Sequence, residues 1–115
     1  MPYDLSVNMP DAEQPSIVVD AWHVADGHQE EFIDTLVELF SRLRELDGFI
    51  EGEILRGVDP GRFVTYARMR SASERDAAFI DSEVRRALRT IRAIARPDPG
   101  TYTAFRKFTA EKPPA

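Results

Sequence analysis

The chain has 115 residues, 43% of them hydrophobic and 30% charged, with no cysteine and a net charge of −5. That length suffices for one domain with a two-layer core and is too short for two, and the composition is that of a globular chain rather than a disordered one. The lack of cysteine excludes a disulfide framework, a thiolate zinc site and a cysteine nucleophile. With no apolar run of membrane-spanning length and no basic-then-apolar start, a cytoplasmic location and no membrane partner are expected.

The charge is unevenly distributed. The first 53 residues hold 13 acids against Arg42 and Arg44, or −11, while the remaining 62 hold 7 acids against 13 bases, or +6. Opposite-signed parts of one small domain attract each other or a second copy. The basic residues from Arg85 to Arg96 fit one exposed helix face and lack an aromatic stacking platform, so no nucleic-acid partner is expected.

Residues 1–15 carry Pro2, Pro10 and Pro15 among polar residues without a period, which predicts a flexible arm before a domain spanning residues 16–108. Ile17 to Val24 reads as the first strand. Successive side chains of a strand point to opposite faces, so Asp20 shares one face with Val18, Trp22 and Val24, and His23 lies on the other. An acid beside an indole on an apolar strand is unusual, because burying an unpaired carboxylate costs several kcal/mol. Such an acid is paired, as with an arginine, or protonated, or at the solvated end of the strand, or in use to handle a proton.

Asp26, with Gln29 three residues later, predicts the cap of a first helix. Its apolar stripe is Phe32, Leu36, Leu39, Phe40, Leu43 and Leu46, and Gly48 stops it in a left-handed conformation. Phe49 to Arg56 and Arg62 to Arg70 read as strands of a hairpin turning through residues 57–61. Ser73 with Asp76 predicts a second cap and a helix from about Glu74 toward Arg96, with Asp81-Ser82 the place where it could break. Val84, Leu88, Ile91 and Ala95 form its buried stripe, and Pro97 to Gly100 end it. Thr101 to Phe108 is expected to be the last strand, and residues 109–115 a polar tail.

The order strand, helix, strand, strand, helix, strand is that of an α+β, ferredoxin-like split β-α-β arrangement: a four-stranded antiparallel sheet with two helices on one face. Ile50 and Ile54 on one strand face stand against Leu55 on the other, and Phe63 and Met69 against Val64 and Tyr66. Both sheet faces thus carry apolar residues, which predicts that a second copy covers the open one in a homodimer. Glu51, Glu53, Tyr66, Arg68 and Arg70 suit ion pairs across that interface.

The same element order, with Glu31-Phe32 opening the first helix, Asp47-Gly48-Phe49-Ile50 entering the second strand, then Ile54-Leu55-Arg56 and Arg62-Phe63-Val64, resembles the antibiotic biosynthesis monooxygenase superfamily of dimeric α+β barrels. Within it the chain is most similar to the anthrone oxygenases of aromatic polyketide pathways, over roughly Ser16 to Phe108. The resemblance implies oxidation of an anthrone or phenol to a quinone by molecular oxygen, with no metal, flavin or haem. The substrate carbanion reduces oxygen, and the protein supplies a dry pocket and orientation. The family's catalytic asparagine would fall at Asp20, its third-strand tryptophan at Met69 and its second-strand histidine at Gly52, and none of the three is retained. The haem-degrading relatives use a histidine on the second helix, a place that neither His23 nor His28 occupies.

Asp20 and Trp22 are thus the candidate catalytic residues, the acid accepting or orienting a phenolic proton and the indole forming a pocket wall. A cavity between sheet and helices would be lined by Phe32, Phe40, Ile50, Ile54, Thr65, Met69 and Phe79. Tyr102 is either a phenolic donor to the ligand or an edge-strand aromatic. Two alternatives remain: a polyketide cyclase in which an ionised Asp20 drives aldol closure, and a non-catalytic dimeric binding protein.

Overall fold

The computed structural model describes residues 14–111, so most of the arm expected over residues 1–15 and part of the tail expected over 109–115 lie outside the described residues. At the centre is strand β1, Ser16–Val24, which pairs antiparallel with β3, Arg62–Met69, on one side and with β4, Ala95–Tyr102, on the other. Strand β2, Phe49–Arg56, completes a four-stranded sheet in the order β2-β3-β1-β4. Helices α1, Gln29–Leu43, α2, Ala72–Phe79, and α3, Ser82–Ile94, share a core with the sheet. The α+β, ferredoxin-like expectation holds, with three helices in place of two. Among the described residues no helix is long and apolar enough to cross a membrane.

The core follows the two periodicities. Phe32, Leu36, Leu39 and Leu43 recur at three and four along α1 and are buried, as are Val84, Ala87 and Ile91 along α3. They meet Trp22, Val24, Phe63, Ala67 and Met69, which alternate along β1 and β3. Burying each large side chain fully contributes about 1.5–3 kcal/mol.

Several boundaries differ from those expected. Helix α1 begins at Gln29 rather than at a cap on Asp26, because Gly27 sits at φ +82 in a turn closed by His28 N–H donating to the Ala25 carbonyl. A left-handed residue there prevents the helix from starting earlier. Gly48, at φ +89, ends that connection as expected. Helix α2 is capped by Ser71, not Ser73: the Ser71 Oγ accepts from Glu74 N–H at 3.2 Å. The helix expected to run on toward Arg96 stops at Phe79 and restarts at Ser82, where the Asp81 carboxylate caps α3 by accepting from the N–H groups of Glu83 and Val84.

The last strand is Ala95–Tyr102 rather than Thr101 to Phe108. Pro97 and Pro99 do not stop it, because β4 is an edge strand. Thr103 to Glu111 follows as exposed, irregular chain. In β2 a register shift between Phe49 and Glu51 makes Ile50 an extra residue, and it is 51% exposed. The bulge separates Ile50 from the face of Ile54, with which plain alternation would group it.

A guanidinium ties α1 to the start of α3. Arg42 donates from Nη2 to Asp81 Oδ1 at 2.8 Å and from Nε to Asp81 Oδ2 at 3.1 Å, and it also pairs with Glu83 at 2.9 Å. This hydrogen-bonded pairing holds the Asp81 carboxyl down at about 2. A carboxyl lowered on folding contributes stability above its ordinary value, and that contribution disappears as pH falls through the folded one. Arg42→Ala should therefore lower the melting temperature near neutral pH, and the gap from the native chain should close as pH falls from about 4 to about 2 in calorimetric scans.

Candidate functional site

Between the sheet and the three helices lies a hollow lined by Val18, Asp20 and Trp22 of β1, Thr65, Tyr66 and Ala67 of β3, Leu39, Phe40 and Leu43 of α1, Phe79 of α2 and Leu88 of α3. Alternation along β1 puts Asp20 and Trp22 on its wall together, as expected. The Trp22 ring is 2% exposed and packs edge-on against Phe32 at 5.6 Å between centroids. Its Nε1 donates to Thr65 Oγ1 at 3.0 Å. A buried indole N–H needs such an acceptor.

Asp20 is half-buried, and its carboxylate makes no hydrogen bond or ion pair among the described residues. Burial pushes its carboxyl above the ordinary value, and the positive charge of Arg92 on α3 pulls it partly back. Desolvation thus outweighs the arginine, and no guanidinium clamps the acid. Tyr66 borders the hollow, but its register with Val19 and Glu53 sets its side chain on the helix-free face, where the hydroxyl donates to Glu53 at 3.1 Å. From α1 and α2 the hollow receives only Leu39, Phe40, Leu43 and Phe79.

The hollow measures about 20 Å³. That is room for one water, which needs at least about 10–15 Å³, and far below the roughly 150 Å³ of a cavity known to take benzene. Phe40 does much of the filling. A Cβ built on Gly52 would lie 2.6 Å from Phe40 Cε1 and 2.9 Å from the Tyr66 carbonyl oxygen. The ring of Phe40 thus occupies the space over position 52, where the resemblance would set a histidine.

The structure brings five of the expected site residues together: Asp20, Trp22, Phe40, Thr65 and Phe79. Phe32 and Met69 are fully buried in the core, off the lining, and Ile54 packs beside the core on β2. Ile50 is exposed at the bulge, and Tyr102 is 56% exposed. Register puts Tyr102 opposite Ile17, on the helix-free face. Leu39, Leu43 and Leu88 line the hollow without having been singled out, although each lies on an apolar helical stripe that carried the signal. Arg92 follows Leu88 by one turn, a spacing that could have flagged it.

Other clefts are separate. One of about 530 Å³ runs between α1 and α3 past Glu38, Arg42, Glu83 and Arg86. Its Arg42 and Glu83 are already paired with each other. On the helix-free face Glu51 and Arg68 approach at 3.9 Å, and Arg70, just past the end of β3, pairs with Glu74 of α2.

This arrangement, a four-stranded antiparallel sheet covered on one face by helices, is the fold of the antibiotic biosynthesis monooxygenases. Among solved structures the chain is similar to SnoaB, a cofactor-independent oxygenase from Streptomyces nogalater, with a TM-score of 0.78 and 18% identity over 84% of this chain and 99% of that one. Rv0793 from Mycobacterium tuberculosis is similar with a TM-score of 0.76 and 13% identity over 84% of this chain and 100% of its own. A proposed antibiotic biosynthesis monooxygenase from Nitrosomonas europaea gives 0.74 and 15% over 84% and 95%. No protein-family model matches the sequence, and no curated protein does. What these likenesses establish is the fold.

A carboxyl raised on folding contributes stability below its unfolded value, and the contribution is lost as pH rises through the folded one. Replacing Asp20 by asparagine, which keeps the shape and removes the charge, should raise the melting temperature near neutral pH. The gain should shrink to nothing below the ordinary aspartate value of about 4, as thermal melts across that range would show.

Proposed function

We propose that the chain is a cofactor-independent oxygenase that oxidises a phenolic or anthrone ring of a polycyclic aromatic polyketide to a quinone. The observation that carries this reading is an unclamped carboxylate, raised by desolvation, sharing a hollow with an indole between sheet and helices. SnoaB, which has this fold, is a cofactor-independent oxygenase. In the proposed chemistry Asp20 removes a proton from the substrate, and the resulting carbanion gives an electron to molecular oxygen. Recombination forms a hydroperoxide that loses water, so that a ring CH₂ and O₂ become C=O and H₂O. Trp22 stacks against the flat ring, and the half-buried Phe40, Phe79 and Leu88 move aside to admit it.

The test is oxygen uptake and quinone absorbance when the protein meets an anthrone in air without added cofactor. Turnover should exceed the buffer rate and fall by about 10²-fold or more in Asp20→Asn. Quinone formation no faster than in buffer would sink the reading. Because position 20 holds an acid able to abstract a proton, aldol closure by a cyclase is the second reading. Turnover that persists under nitrogen would select it.

The functional unit is proposed to be a homodimer closed over the helix-free sheet face. Leu55 and Val64 are cross-strand partners there, 44% and 38% exposed, with Ala21 in register beside Val64. Contiguous apolar area of this kind marks an interaction surface. Sedimentation should show a dimer that Val64→Asp converts to a monomer with unchanged circular dichroism.

A further inference from the structure

The bond from Trp22 uses only part of what the Thr65 hydroxyl offers. A threonine hydroxyl carries one proton and two lone pairs. The indole N–H takes a lone pair, and the proton has no acceptor among the described residues. Thr65 is 4% exposed, so its proton faces the interior. Its direct cross-strand partner is Asp20, and such partners on one sheet face have Cβ atoms about 4.5–5.5 Å apart. No direct hydrogen bond joins them, and the space on their shared face is the hollow of about 20 Å³. Of the lining residues, Trp22 has used its N–H and Tyr66 carries its side chain on the opposite sheet face, where the hydroxyl donates to Glu53, which leaves Asp20 and Thr65 as the groups with hydrogen-bonding capacity to spare.

We propose that the hollow is an oxygen-atom site with one donor, Thr65, and one acceptor, Asp20, filled by a single water in the resting protein and by a phenol or enol oxygen of the substrate in the complex. The part concerning substrate rests on the function proposed above; the water site does not. When the ligand O–H gives its proton to the Asp20 carboxylate, the electron pair of the broken bond stays on the ligand oxygen. The Thr65 O–H, anchored from behind by the indole, then stabilises that anion. Thr65 is thus a specificity and positioning residue for ionisable hydroxyls. A methyl ether in place of the hydroxyl would leave the acid without a donor and be rejected.

The test reads Asp20 itself, through the pH dependence of its side-chain carboxyl carbon in NMR spectra, assigned by comparison with Asp20→Asn. A hydroxyl donating through one water favours the ionised acid. Thr65→Val, which keeps the shape and removes the donor, should raise the Asp20 midpoint by about one pH unit. Thr65→Ser should restore it. Thr65→Val also strips the indole of its acceptor, so Trp22→Phe and the double variant Trp22→Phe/Thr65→Val supply a second pair without that penalty, and the same upward shift is expected between them. A midpoint unmoved in both pairs overturns the proposal. The two readings fail separately: the shift without quinone formation keeps the oxygen-atom site and removes the oxygenase, and quinone formation without the shift does the reverse.

Discussion

A buried indole N–H must find an acceptor, and Trp22 finds the hydroxyl of Thr65 at 3.0 Å. The bond crosses from β1 to the neighbouring β3, between residues far apart in the chain, and so pins the register of the two central strands from within the core. Phe32 stands against the indole and Phe63 against Phe32, so the aromatic cluster under α1 is oriented by the same contact. Asp20, two residues earlier on β1, is carried to the sheet's helix side by the pleat alone.

Two aspartates show how one small fold separates the roles of identical side chains. Asp81 sits at a helix start, accepts two backbone N–H groups and is gripped by Arg42, so it stays ionised and acts as a structural clasp. Asp20 has only the charge of Arg92 to set against desolvation, and its proton is held more tightly than usual. Divergence of this kind between like groups is where acid and base work can be sought.

Much of the architecture was legible in the sequence because it depends on period. The stripe of α1, the hairpin around residues 57–61 and the shared face of Asp20 and Trp22 follow from spacings of 3.6 and 2. What was not legible depends on competition or on tertiary register. Ser71 with Glu74 and Ser73 with Asp76 are equally good capping patterns, and the chain chooses the first, where Arg70 also braces Glu74. Prolines that would stop a central strand are harmless at an edge, and only the sheet order reveals that β4 is one. The bulge at Ile50, the pairing of Thr65 with Trp22 and the closure of the hollow by Phe40 against Gly52 each need the partner element in place.

The prolines of β4 also bear on how the molecule lives at high concentration. A strand rim normally presents a row of amide donors onto which a foreign chain can zip, and this route leads to fibrils. Here Pro97 and Pro99 leave the edge strand β4 two amide donors short, and on the opposite border a bulge at Ile50 interrupts β2 beside the charged Glu51 and Glu53. Ribbon-like growth is thereby discouraged at both borders of the sheet.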